Sequence, residues 1–262
     1  MSDLSSLQSL CRKHQGAVFL YGALAASSLV ALGILAARIV YSGTVAHGYM
    51  PWNLFLAWIP LWLAVAISVL DARGRAGTVT LLGLAFLWLL FFPNAPYLLT
   101  EFVHLHPSYA VNDRPLRILA GLSPARNVPL WYDAAMLGAF AWCGLMLAFV
   151  SLHLVQRSIS RRIGQAWGWS AVVVILWLSG FGVSIGRFQR WNSWDLFLRP
   201  TALLSDVADR LFNPLAHPRT TTVTLVFWSV LLMAYLALAG FAAFRQNADA
   251  AERPVKEPAA AA

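Results

Sequence analysis

Charge is scarce in this chain: Asp, Glu, Lys and Arg make up only 11% of its 262 residues, apolar residues make up 59%, and mean hydropathy is +0.64. That leaves too little polar surface for a soluble globule. Cysteine is scarcer still. Cys11 precedes the first apolar run and Cys143 falls in the middle of the fourth, depths too different for a disulfide, so neither a disulfide scaffold nor dithiol redox chemistry is expected. No Gly/Ser/Pro-rich linker separates the apolar runs and no fixed-period repeat is present, which leaves one membrane domain with short ends. Walker, His-Glu-x-x-His and Cys-x-x-Cys motifs are all missing, so the familiar nucleotide and zinc signatures are excluded. The formal charge of +8 implies no nucleic acid partner, because basic flanks also suit anionic lipid headgroups.

What the chain has instead is length of apolar run. About 20 apolar residues cross a bilayer as a helix, and six segments qualify: Ala17 to Ala37, Trp52 to Leu70, Thr78 to Leu99, Ala134 to Val155, Ala166 to Ile185 and Thr222 to Phe244. A barrel would show short alternating strands. The fold expected is an all-α, polytopic membrane bundle. A cytoplasmic segment 1–16, a six-span domain 17–244 and a disordered cytoplasmic tail 245–262 complete the organisation, the tail being too poor in apolar residues to fold. The first run is longer than the apolar core of a signal peptide and reads as a retained anchor. Lys and Arg number ten on the side of both termini and eight on the opposite side. The three short Arg-bearing connections fall on the termini's side, which places both termini in the cytoplasm of a bacterial inner membrane. In the loop before the last span, Leu203, Leu204, Val207, Ala208, Leu211 and Phe212 recur at helical spacing, the pattern of a short interfacial helix.

Helix parity gathers the start of span 2, the end of span 3, the start of span 4 and the end of span 5 at one face, the outer one in this orientation. These ends carry the unusual residues. In Phe92-Pro93-Asn94-Ala95-Pro96-Tyr97 two prolines interrupt the third helix, and Asn94 is placed to cap a restart. If helix resumes, Tyr97, Glu101 and His104 share a stripe. Glu-x-x-His is also a metal-ligand spacing in bundles, and its oxygen and nitrogen donors would favour zinc or manganese over copper(I). The alternative is a solvated or locally paired helix end. Asp133, the one acid in the first turn of span 4, should turn inward towards Arg187 or Arg190, although the helix dipole alone also accounts for it. If span 5 continues outward, Arg187, Arg190, Trp191, Trp194 and Asp195 form one stripe with Asn192 beside it. Arg forks suit carboxylate or phosphate, and Trp faces suit a cation, sugar or acyl chain. The competing reading is an interfacial anchor. His14, His47, His106 and His217 form no convincing constellation, and His153 lies at the opposite end of span 4.

The motifs FPNAPYLLTEFVHL, PLWYD, GRFQRWNSWDL and WNLFLAWIPLW, in a stretch from about Pro51 to Pro200, resemble an uncharacterised family of bacterial and archaeal multi-pass membrane proteins, domain of unknown function 1361. The resemblance implies a membrane location and no established activity. It places Asn53, Asn94, Tyr97, Asp133, Arg187, Arg190, Asn192 and Asp195 in matched motifs.

Three functions compete. The first is a polar site at the outer face acting on a lipid or lipid-linked substrate, with Glu101, His104, Asp133 and Asp195 as acids, bases or ligands. Asn94, Tyr97, Arg187, Arg190, Trp191, Asn192 and Trp194 would then hold an anionic, amphipathic molecule. The second is a noncatalytic partner or assembly factor that binds another membrane protein through the Trp/Arg face. The third, a transporter, is disfavoured because the middle of every span is apolar and no inverted halves are evident. The sequence assigns no cofactor.

Overall fold

The computed structural model describes residues 2–74, 76–105 and 128–251, with side chains from residue 15 to residue 245 of these. The chain is helical throughout, with no strand among the described residues. Its elements are α1 (Ser2–Ser42), α2 (Met50–Ala72), α3 (Thr78–Phe91), α4 (Asn94–Tyr97), a 3-10 helix (Leu98–Leu105), α5 (Leu130–Ile163), α6 (Gln165–Gln189), α7 (Asp195–Leu198), α8 (Pro200–Phe212) and α9 (Pro218–Ala251). Six helical stretches are long and apolar enough to cross a membrane. The protein is therefore an all-α, multi-pass membrane bundle. Apolar side chains such as Phe19, Val79, Leu82 and Met233 stand exposed around its outside, where lipid satisfies them and water would not.

Most helices overrun the apolar segments that announce them, because backbone hydrogen bonding continues after the hydrophobic run ends. Thus α1 includes the N-terminal segment and α9 carries on past Phe244 to Ala251; the rest of the tail, residues 252–262, and the third loop at 106–127 lie outside the described residues. The interfacial helix expected before the last span is α8.

The core lies where α5 meets α2, α4 and the 3-10 helix, around Trp88, Phe92, Leu98, Met136, Leu137 and Phe140. Inside it the indole N–H of Trp88 donates to the Ser151 hydroxyl at 2.6 Å. Two glycines let backbones close up. A Cβ on Gly144 would run into the Ala95 carbonyl and the Leu98 side chain, so α5 lies directly against α4. One on Gly182 would stand 2.7 Å from the Pro93 ring, which seats α6 against the same proline break.

That break has a definite repair. Helix α3 stops at Phe91, and Pro93 and Pro96 supply no N–H to the carbonyls before them. Asn94 does not cap the restart. Its side-chain amide donates to the Phe91 carbonyl at 2.9 Å and to Ser193 Oγ at 3.1 Å, while the Ser193 hydroxyl donates to the Leu90 carbonyl at 3.0 Å. Carbonyls freed at membrane depth are thus satisfied by two side chains, one of them from the loop after α6.

Helix α6 ends at Gln189 in a left-handed residue, Arg190 (φ 60°), with the Trp191 N–H reaching back to the Ile185 carbonyl at 3.4 Å. A left-handed residue thus stops the helix, with arginine in the place glycine usually takes. The single stripe expected from Arg187 to Asp195 is consequently broken at Arg190, which points into the surroundings as an exposed residue.

Candidate functional site

The candidate residues separate into three polar clusters at one end of the bundle, and a cleft adjoins the first of them. At the opposite end, Asp71 pairs with Arg161 at 3.2 Å and with Arg162.

The first cluster is built on Glu101, whose side chain is fully buried. The 3-10 helix brings residues three apart onto one side, so Glu101 and His104 meet: Oε2 lies 3.4 Å from Nε2. From the start of α2, Tyr49 donates its hydroxyl to Oε2 at 2.9 Å and Asn53 its amide to Oε1 at 3.3 Å. From the end of α6, Arg187 donates through Nη1 to Tyr97 Oη at 3.2 Å and to Glu101 Oε1 at 3.4 Å, and through Nη2 to His104 Nε2 at 2.9 Å. A carboxylate has about four acceptor positions, and here three separate segments converge on them. His47 joins from the turn between α1 and α2. It is held at φ 65° in the left-handed region, with its ring centroid 6.0 Å from that of His104.

The second cluster corrects an expectation. Asp133 is not paired with Arg187 or Arg190; Arg38 on α1 grips it with Nε at 2.6 Å and Nη2 at 3.1 Å. Helix α1 packs along α5 and delivers its one near-terminal cation to the first turn of α5, whereas Arg187 is committed to Glu101 on the other side of α5. Tyr132 reinforces the contact by donating its hydroxyl to the Ile34 carbonyl at 2.9 Å.

The third cluster is a loop cap. The buried Asp195 accepts the Asn192 N–H at 2.8 Å and Arg199 Nη2 at 3.2 Å. Trp191 donates its indole N–H to Asp206 Oδ2 at 2.9 Å on α8 and lies under the Arg199 guanidinium, while the Trp194 carbonyl accepts the Phe197 and Leu198 amides of α7 at 3.0 Å and 3.2 Å. The backbone N–H of Asn192, and after it Arg199, hold the Asp195 carboxyl below the usual carboxylate range. A depressed folded-state value means that the group's contribution is complete above its unfolded value and is lost as pH falls through the folded one. Protection of the Asn192 amide from hydrogen exchange, taken relative to the intrinsic rate at each pH, should therefore be high at neutral pH and fall as pH drops below about 3.9. Persistent protection at pH 2 would show that the cap is held by something other than this carboxylate.

Of the four residues expected to do chemistry, then, only Glu101 and His104 are brought together. Among the described residues no three His, Cys, Asp or Glu side chains converge in a way that could hold a metal ion. Arg38, His47, Tyr49 and Asn53 complete the polar end without having been singled out as site residues. A lone arginine directly after an apolar run was the available signal for Arg38. It also belongs to the polar end, which narrows the basic-residue margin to ten against nine.

Beside the Glu101 cluster lies a half-open cleft of about 490 Å³. Leu89, Leu90, Ile185, Leu203, Leu204 and Val207 form much of its apolar wall. Its polar lining includes Asn53 and Tyr97, the residues that touch Glu101 and Arg187, together with Asn94, Trp191, Asn192 and Ser193. Helix α8, stitched down by Trp191 and Asp206, supplies the outermost wall.

The family described as Protein of unknown function (DUF1361) matches residues 52–234, running from the first turn of α2 well into α9. No curated protein and no solved structure matches the chain.

Proposed function

The chain belongs to the DUF1361 family, and from that footing we propose that this multi-pass membrane protein binds an amphipathic molecule, a lipid or lipid-linked compound, in the cleft between α2, α3, α6 and α8. The observation that carries the reading is continuity: an apolar trough large enough for part of an acyl chain shares Asn53 and Tyr97 with the buried Glu101–Arg187 cluster. Sites for small molecules combine an apolar lining with a few convergent polar groups in this way. The apolar wall takes the chain and the polar end takes the head. With both termini in the cytoplasm, as the basic residues favour, the cleft opens at the outer face of a cell membrane. Chemistry on the head group, if the protein performs it, falls to Glu101 and His104, because Asp133 and Asp195 are each held by their own arginine.

Native mass spectrometry of the protein released from mild detergent tests this. The wild type should retain about one lipid per chain, and Leu204→Trp, which fills the trough from α8, should lose it while keeping the same unfolding temperature. A wild type that emerges bare, or a Leu204→Trp variant that retains the lipid equally well, overturns the proposal.

A further inference from the structure

Arg187 and His104 hold each other in a resting state that an anion would undo. A guanidinium has donors only, so in the 2.9 Å contact from Arg187 Nη2 the His104 Nε2 is the acceptor and carries no proton. The proton of the neutral ring then sits on Nδ1. The same Nε2 lies 3.4 Å from Glu101 Oε2, where only a protonated nitrogen has anything to donate. One nitrogen therefore stands between a donor and an acceptor and can serve one at a time.

Arg187 is not well used in this arrangement. Its contacts at Nη1 are 3.2 Å and 3.4 Å and go to two different residues, not to the parallel fork on one oxyanion for which a guanidinium is shaped. Its side chain is 15% exposed, so a ligand can reach it.

We infer that this cluster is a binding site for a phosphate-type anion, and that loading it is coupled to uptake of one proton by His104. The anion takes Arg187 in a fork. His104 Nε2 loses its donor, accepts a proton from solvent and turns the new N–H to Glu101 Oε2. One anion and one proton enter, an N–H bond forms on His104, Glu101 remains a carboxylate, and no bond of the anion breaks. The identification of the anion as a head group rests on the cleft reading above, since Asn53 and Tyr97 belong to both sites. Other titratable groups face His104. Tyr49 and His47 lie at ring-centroid distances of 5.8 Å and 6.0 Å from the turn before α2, and Tyr97 joins through Arg187. Asp133, on the neighbouring α5, is already held by Arg38.

The test uses the full chain in neutral phosphatidylcholine nanodiscs at about pH 8, where inorganic phosphate is mainly the dianion. The probes are inorganic phosphate and a short-chain phosphatidylglycerol, titrated calorimetrically in buffers of different ionisation heat to count protons. At least one probe should bind with uptake approaching one proton, and its affinity should fall by up to tenfold per unit rise in pH. His104→Gln keeps an acceptor for Arg187 and should bind without uptake, His47→Gln should retain it, and Arg187→Gln should weaken binding at least about tenfold. Binding of phosphate alone identifies a free anion as the ligand; binding of phosphatidylglycerol alone identifies a lipid head group. No binding of either probe, binding without proton uptake, or uptake that survives in His104→Gln overturns the inference. Phosphatidylglycerol binding without uptake defeats the inference and leaves the cleft standing. Phosphate binding with uptake in a protein that retains no lipid does the reverse.

Discussion

Replacing Glu101 by alanine should lower the stability of the bundle by about 3–5 kcal/mol, the range expected when one partner of a buried charged network is removed. The change leaves the Arg187 cation without its carboxylate and removes the acceptor that the Tyr49 hydroxyl and the Asn53 amide share. Three elements lose their common anchor at once. For a chain of this size the loss corresponds to a fall in Tm on the order of 10 °C, read by thermal unfolding in a fixed detergent. Glu101→Gln keeps one oxygen and the shape of the side chain but presents an amide to neighbours that are themselves donors, so about 1–3 kcal/mol is expected there. If alanine is tolerated within about 0.5 kcal/mol, water replaces the carboxylate and the cluster is not what joins the start of α2 to the end of α6.

The second large effect lies at the Arg38–Asp133 pair. Asp133→Ala should cost about 3 kcal/mol, because Arg38 is nine-tenths buried and its Nη1 already finds no hydrogen-bond partner among the described residues. The first turn of α5 also loses an acid that complements its dipole, a smaller effect of about 0.3–1 kcal/mol. The double variant Arg38→Met, Asp133→Leu removes both charges and fills the space with apolar atoms. It should recover to within about 1 kcal/mol of the wild type, since buried ion pairs often do no better than apolar replacements. A double-mutant cycle in the same unfolding assay checks this. Additive single costs, with no recovery in the double variant, would mean that the two residues act separately.

The fold was open to reading because a bilayer imposes a length and a composition on each crossing, and six runs met both. The side-chain pairing was not. Helix parity brought the right ends together, and the eclipsed geometry of a short 3-10 helix preserved the Glu101–His104 contact that the i,i+3 spacing suggested. Parity says nothing about rotation around each helix axis, however. That rotation decides which of several arginines meets Asp133, and α1, whose last turn lay outside the apolar run, provided the answer. The Arg187–Asp195 stripe failed for a local reason. A helical wheel assumes that the helix continues, and a left-handed arginine at position 190 stops it. Asn94 showed the complementary limit: two prolines announced a break, but the group that repaired it, Ser193, came from 99 residues away.

The Glu101 cluster also bears on the order in which the protein is made. Glu101 is synthesised 86 residues before Arg187, so at translation rates of about 5–20 residues per second it waits roughly 4–17 s for its cation. During that interval the third helix has to be held with its carboxylate in contact with water or with the insertion machinery, because lipid cannot solvate it. Tyr49 and Asn53, already made, can meet it in the meantime. Arrival of the fifth span is then the event that dehydrates the cluster, and a ribosome-stalled chain ending before α6 should leave Glu101 accessible to a water-borne carboxyl reagent that the finished protein excludes.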